Sequence, residues 1–257
     1  MTQAERRDYL IDYLLNERRG YEDVEIPEDE EGKRRLLRTL FNVRPALLPA
    51  QTFLDVQDTY LQTELTEKGI TDANDLKPID RKICLWQGDI THLRCDAVVN
   101  DANSGLTGCY RALHDCTDNR IHTFAGVQLR YECAKFMEAQ GFEEPPGRAV
   151  RTQAYNLPCR HVIHTVAPAV HWHLKPEHEE QLKSCCMSCL TSAEEAGDRI
   201  VAFPRLAAGE PGYPPKLAAA AAVGAVHEYL MSGSSIQKVV FVAKDAEEFM
   251  LYAALLA

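Results

Sequence analysis

The chain lacks any apolar run long enough to cross a membrane. Its longest, residues 217–226, is half of the roughly 20 residues a spanning helix needs. The opening residues 1–8 are charged and carry no apolar core of the kind a signal peptide has. Basic excess is also missing. Lys and Arg number 28 against 38 Asp and Glu, a formal net charge of -10. No electrostatic footprint for nucleic acid is present. An anionic ligand would have to be held by local backbone N–H groups and helix N-termini, because the overall field repels it. Internal repeats and low-complexity tracts are absent. The nine cysteines are an odd count, and several fall on apolar strands or helices, where they behave as small hydrophobes. A reducing, cytoplasmic setting with no membrane association is therefore expected.

The composition itself is that of a folded domain. The chain has 257 residues, 46% hydrophobic and 26% charged, enough for one large domain or a domain with an extension. Residues 1–76 read as a helical N-terminal extension. Tyr9, Leu10, Tyr13 and Leu14 recur at helical spacing, residues 33–43 place Leu36, Leu37, Leu40 and Phe41 inward, and residues 54–68 carry a stripe of Val56, Tyr60, Leu61 and Leu65. From Asp80 the grammar changes to strands alternating with helices. Strands are expected at 83–87, 95–100, 149–155, 160–166, 199–204 and 237–243. Helices are expected from Asp118 to Gln140 (with Ile121, Ala125, Leu129, Cys133 and Phe136 buried), at 177–196, at 215–231, and after an Asp245 cap. That order predicts an α/β sandwich with a largely parallel central sheet.

The stretch 100–122 organises the rest. It follows an apolar strand and precedes a helix, the place where an open α/β sheet puts its site. It holds Cys109, His114 and Cys116. Thiolate and imidazole suit zinc, and three protein ligands would leave one position open. Two ordinary cysteines and a surface histidine are the competing reading, and the short, irregular spacing does not decide between them. A second loop, 206–214, joins a strand to a helix. Gly209 and Gly212 allow close backbone approach to a phosphate there, and Tyr213 could lie against a sugar; a plain strand-to-helix turn is the alternative. Asp89, after the first strand of the sheet, can accept a purine exocyclic amine or simply cap a turn.

Taken together, the motifs resemble a known family. Trp-Gln-Gly-Asp-Ile-Thr (86–91), Asp-Ala-Val-Val-Asn (96–100), Asn103, the Gly-Cys-x4-His-x-Cys-x-Asp-Asn-x-Ile-His run (108–122), Ala-Tyr-Asn-Leu-Pro-Cys (154–159), His-Thr-Val-x-Pro (164–168) and Ala-Gly-Glu-x-Gly-Tyr-Pro (208–214) occur in one order. The chain is similar over this region to the zinc-dependent macrodomains, a branch of the ADP-ribose-binding macrodomains. The resemblance implies a three-layer αβα macrodomain over 77–257, with a central mixed, largely parallel sheet preceded by the helical extension. It implies a hydrolase that removes ADP-ribose from mono-ADP-ribosylated protein side chains, with Zn2+ as cofactor. In microbes such proteins are often partnered with a sirtuin-type transferase and a lipoyl-carrier protein.

Position by position, the resemblance gives Asp89 the adenine amine, with the Ile90 backbone beside it. Asn103 would bond the distal ribose. Cys109, His114 and Cys116 would hold zinc near that ribose and, with Asn103, form the catalytic group. The backbone of Ala208, Gly209, Glu210, Pro211 and Gly212 would cradle the diphosphate, and Tyr213 would border the distal ribose. Asp118 and Asn119 would fix the loop. Zinc would orient a ribose hydroxyl, or lower the pKa of bound water toward about 7. Some residues depart from the pattern. Ala207 and Ala208 replace Ser-Thr, removing two hydroxyl donors at about 1 kcal/mol each. Asp101 stands where alanine is usual and receives no role. Ala112 replaces a proline, and Thr117 an isoleucine. These departures keep a non-hydrolysing ADP-ribose reader as the alternative, with a purely structural loop metal as a third class.

Other signals are read as structural. Cys186 and Cys189 form a C-x-x-C inside a helix, so core packing is expected. His164 reads as a satisfied core histidine. His122 is a candidate to orient a metal ligand from behind. His171, Trp172 and His173 read as a solvated loop.

Overall fold

Each long strand feeds two hydrophobic layers at once. The computed structural model describes residues 1–209 and 212–257. Its strands are β1 (Thr71–Asp72), β2 (Ile83–Gln87), β3 (Leu93–Arg94), β4 (Ala97–Ala102), β5 (Ala149–Gln153), β6 (His161–Val166), β7 (Ile200–Phe203) and β8 (Lys238–Ala243). Its helices are α1 (Gln3–Asn16), α2 (Glu30–Val43), α3 (Gln51–Lys68), α4 (Thr117–Ala125), α5 (Val127–Gln140), α6 (Pro176–Glu195), α7 (Pro215–Met231) and α8 (Ala246–Leu256). Six strands form one sheet in the order β2-β8-β7-β4-β6-β5, parallel throughout except for the β5–β6 pair. β1 and β3 make a separate short parallel pair.

Ile83, Val99, Ile163, Val201, Phe203, Val239 and Phe241 point to one face and pack on Leu182, Cys186, Ala219, Val226 and Tyr252 of α6, α7 and α8. Their neighbours Cys84, Val98, Val162, Ala202 and Val240 point to the other and meet Ile121, Ala125, Leu129 and Cys133 of α4 and α5. Period-two alternation thus builds the αβα layers, each buried aliphatic side chain contributing roughly 1.5–3 kcal/mol. Cys186 and Cys189 are buried in the first of these layers, among its apolar side chains.

The three N-terminal helices form their own core around Leu10, Ile11, Leu37, Phe41, Phe53 and Leu61, with Val127 of α5 joining it. Polar contacts also tie them to the domain. Arg130 of α5 is buried and donates to the carbonyls of Phe41, Asn42 and Arg44 at 3.2, 2.8 and 2.6 Å. These carbonyls end α2 and lack helical partners, and a cation there also suits the helix dipole.

Three expectations are corrected. The helix predicted from Asp118 to Gln140 is two helices, broken at Gly126 with φ +101°. Gln57 of α3 accepts from Val127 N at 2.9 Å and so caps α5 from outside. The N-cap of α4 is Cys116, whose sulfur accepts from Asn119 N at 3.4 Å, and not Asp118. Phe136, expected inward, is exposed.

Candidate functional site

A cleft of about 1050 Å³ opens at the C-terminal ends of β2, β4, β7 and β8. The crevice beyond the carboxyl ends of parallel strands is the general ligand position in such sheets. Asp89, Ile90, Asn103, Cys109, His114, Cys116, Ala208 and Gly209 all line it. Residues brought from four separate stretches of the chain therefore share one concave surface.

At one end, Asp89 caps a short 3-10 turn, Ile90–His92. Its Oδ1 accepts from Thr91 N at 3.1 Å and from Thr91 Oγ1 at 2.7 Å. Its other oxygen pairs with Arg120. Burial alone would raise this carboxyl; the Arg120 guanidinium and Thr91 outweigh it and hold the group below the ordinary carboxylate range. Asp89 is thus an ionised acceptor at neutral pH. Arg120 also reaches Asp115 Oδ1 at 2.8 Å, so one side chain spans the Asp89 end and the cysteine loop.

At the centre, Asn103 is held ready by its own loop. Its Nδ2 donates to Gly108 O at 3.1 Å and its Oδ1 accepts from Gly105 N at 3.0 Å. Beneath it lies a buried polar chain. Asp118 accepts from Asn100 Nδ2 at 2.8 Å, and Asn100 meets His164 Nδ1 at 3.0 Å. Thr152 Oγ1 takes the other nitrogen of His164 at 3.0 Å. Burial pushes the Asp118 carboxyl up to about 6 and the His164 imidazole down to about 3. His164 is the satisfied core histidine the sequence predicts.

The ligand atoms of Cys109, His114 and Cys116 all lie within 4.8 Å of one another, with Cys109 Sγ 3.5 Å from His114 Nδ1. Two ligands of a tetrahedral zinc, at bond lengths of 2.0–2.3 Å, stand about 3.6 Å apart. The donor set and its spacing fit that ion. Burial pushes the Cys116 thiol up to about 12, and the neighbouring Cys109 adds to the effect. A bound cation would reverse this, since it stabilises both thiolates. A second group of this kind, His122, Cys133 and His164, lies buried below. Both His164 nitrogens there are already engaged, so it offers a poorer ligand set. His122 places its Nε2 3.6 Å from Asp118 Oδ1. Its ring packs under Gly108, where an added Cβ would meet it at 2.7 Å, and among the described residues its nitrogens have no hydrogen-bond partner.

The loop after β7 departs from expectation. Ala208 N donates to Asp101 Oδ2 at 3.3 Å, so the acid at the unusual position engages a backbone amide expected to face diphosphate. Glu210 and Pro211 lie outside the described residues. Gly212, at φ +91°, packs against the backbone of Val170, 2.5 Å from where its Cβ would be, and does not line the cleft. Tyr213, read as bordering the ribose, is instead 5% exposed, packs in the core with α6 and α7, and lies outside the cleft lining.

Sequence reasoning missed the cleft's cations. Arg111, Arg120, Arg205 and Lys244 line it and oppose the chain's net negative charge locally. Arg120 had a usable signal, because it stands one helical turn after Cys116.

A Macro domain family model matches residues 99–222. The chain is 45% identical over 256 residues to a Treponema medium protein named protein-ADP-ribose hydrolase, covering 98% of each. It is 41% identical over 249 residues to a Staphylococcus aureus protein of the same name, covering 96% of this chain and 93% of that one. Its fold matches a crystal structure of a Trypanosoma brucei macrodomain in complex with ADP-ribose, with a TM-score of 0.65 and 27% identity over 86% of this chain and 95% of the other. A shared sheet alone would establish only architecture; near full-length identity to two relatives goes further, and the chain belongs to the macrodomain family.

Proposed function

We propose that the chain is a zinc-containing hydrolase that removes ADP-ribose from mono-ADP-ribosylated protein side chains. One observation carries this reading. Three soft donor atoms within 4.8 Å of one another open onto the same cleft as Asp89 and Asn103. The names of the full-length relatives and the ADP-ribose held by the Trypanosoma brucei macrodomain support it.

Asp89 accepts the adenine amine, with the Ile90 backbone beside it, and Arg120 keeps that carboxylate ionised. The amide of Gly209 faces the diphosphate, with Arg205 and Lys244 lining the same cleft. Asn103, fixed by Gly108 and Gly105, orients the distal ribose. Cys109, His114 and Cys116 hold zinc beside that ribose. When bound, zinc supplies Lewis-acid polarisation of an oxygen there. Three side chains would serve as its protein ligands, whereas a structural site usually has four.

The test is a hydrolysis assay on mono-ADP-ribosylated proteins of defined linkage, with zinc measured in parallel. One zinc per chain and release of free ADP-ribose from at least one linkage are expected. Tight ADP-ribose binding with every linkage intact would identify a reader instead. That second reading is favoured by Ala207 and Ala208, which lack hydroxyls, and by the engagement of the Ala208 amide with Asp101.

A further inference from the structure

The loop carrying the three metal ligands is gripped from outside by the N-terminal helices. Asn42 of α2 accepts from Leu113 N through Oδ1 at 3.0 Å. One turn earlier, Arg38 donates to the carbonyl of His114 at 3.0 Å. The two side chains therefore bond consecutive residues, one at a backbone N–H and one at a backbone C=O. Leu113 has φ +56°, a left-handed conformation that costs a leucine about 1–2 kcal/mol. The hydrogen bond at its amide helps hold that conformation. Asn42 is itself anchored, being buried and donating to Thr123 Oγ1 at 2.6 Å. Arg38 further faces the Asp115 carboxylate at 3.8 Å.

The other half of the loop is tied differently. Asn119 of α4 donates to Cys109 O at 3.2 Å and to Arg111 O at 3.0 Å. Cys116 is bound into the start of α4 as its N-cap. Thus α4 holds the two cysteine ends, and α2 adds bonds at Leu113 and at His114, whose own amide donates to Arg111 O at 3.2 Å. Between them Tyr110, Arg111 and Ala112 are exposed. A loop free to wander there would lose conformational entropy when a metal bound.

We propose that Arg38 and Asn42 are positioning residues that hold His114 in place beside the two thiols, so that the N-terminal helices are part of the metal site. This rests on the reading of Cys109, His114 and Cys116 as zinc ligands. Groups standing behind metal ligands typically control affinity by 10- to 100-fold.

The experiment times zinc release to a colorimetric chelator for wild type, Arg38→Ala, Asn42→Ala, the double variant, Arg38→Lys and Lys33→Ala. Lys33 lies on the same helix, and its ammonium pairs with Asp8 of α1. Release from the double variant is expected to be about 10- to 100-fold faster. Lys33→Ala should match wild type, and Arg38→Lys should fall between. Arg38→Ala alone covers the case in which loss of the buried Asn42 weakens the fold, since the Arg38 side chain is 25% exposed. A second readout is hydrogen exchange at the Leu113 amide in metal-free protein, expected to speed up in Asn42→Ala. Release within twofold of wild type in both Arg38→Ala and the double variant overturns the proposal while leaving the zinc reading intact. Wild-type protein that holds no zinc overturns the zinc reading, and the clamp with it.

Discussion

Cys116→Ser is expected to keep the fold, lose zinc and reduce ADP-ribose release at least about 100-fold. Serine is chosen over alanine for a physical reason. Cys116 is both a soft donor and the N-cap of α4, accepting from Asn119 N. Alanine would remove both roles and cost about 1 kcal/mol of cap. Serine preserves a capping oxygen and removes only the sulfur. A Lewis acid contributes several kcal/mol to a transition state that develops charge, and each 1.4 kcal/mol is tenfold in rate. Melting temperature in the metal-free state checks the fold, and label release from a mono-ADP-ribosylated protein reads the activity. Turnover by Cys116→Ser within threefold of wild type would separate the loop from the chemistry.

Gly212→Val should lower the stability of the fold by roughly 2–5 kcal/mol. Gly212 has φ +91°, where any L side chain is strained by about 1–2 kcal/mol. An added Cβ would also stand 2.5 Å from the carbonyl oxygen of Val170, which is backbone and has no rotamer to escape into. Overpacking of this kind costs about 1–3 kcal/mol. The adjacent Tyr213 sits in the core, so the chain has little room to relax on that side. Together the two effects cost about 2–5 kcal/mol of folding stability. Gly224→Ala is the matched control. That glycine lies inside α7 with open space around it, so alanine should add up to about 1 kcal/mol of stability. Thermal unfolding reads both; a Gly212→Val protein that melts at the wild-type temperature would contradict the strain at this glycine.

What the sequence made legible was whatever depended on local period. The strands of the sheet and the outward and inward faces of α1, α2 and α3 follow from spacing, and the Asp245 cap of α8 from residue type. The break at Gly126 was hidden because Ile121, Ala125, Leu129 and Cys133 continue one apolar stripe across it. It exists because Gln57, 70 residues away, supplies the cap for the second helix. Tyr213 was misplaced because a tyrosine has an apolar body and a polar tip, and position in sequence does not say which one decides. Here the body does, and it sits in the core. Asn100, Asp118, His164 and Thr152 were visible as polar residues, but their joining into one buried chain is a product of strand register between β4, β5 and β6. Arg38 and Asn42 had no local signal at all. Their partners lie 76 and 71 residues further on, and only the packing of α2 on α4 brings them together.

The central claim is that the Cys109, His114 and Cys116 loop holds a metal needed to free ADP-ribose. The direct measurement strips the purified chain with a chelator, confirms the loss of zinc, and compares ADP-ribose release before stripping, after stripping and after addition of one equivalent of zinc. Loss of release on stripping and its return on reloading is the predicted result. Undiminished release by the stripped chain would contradict the claim.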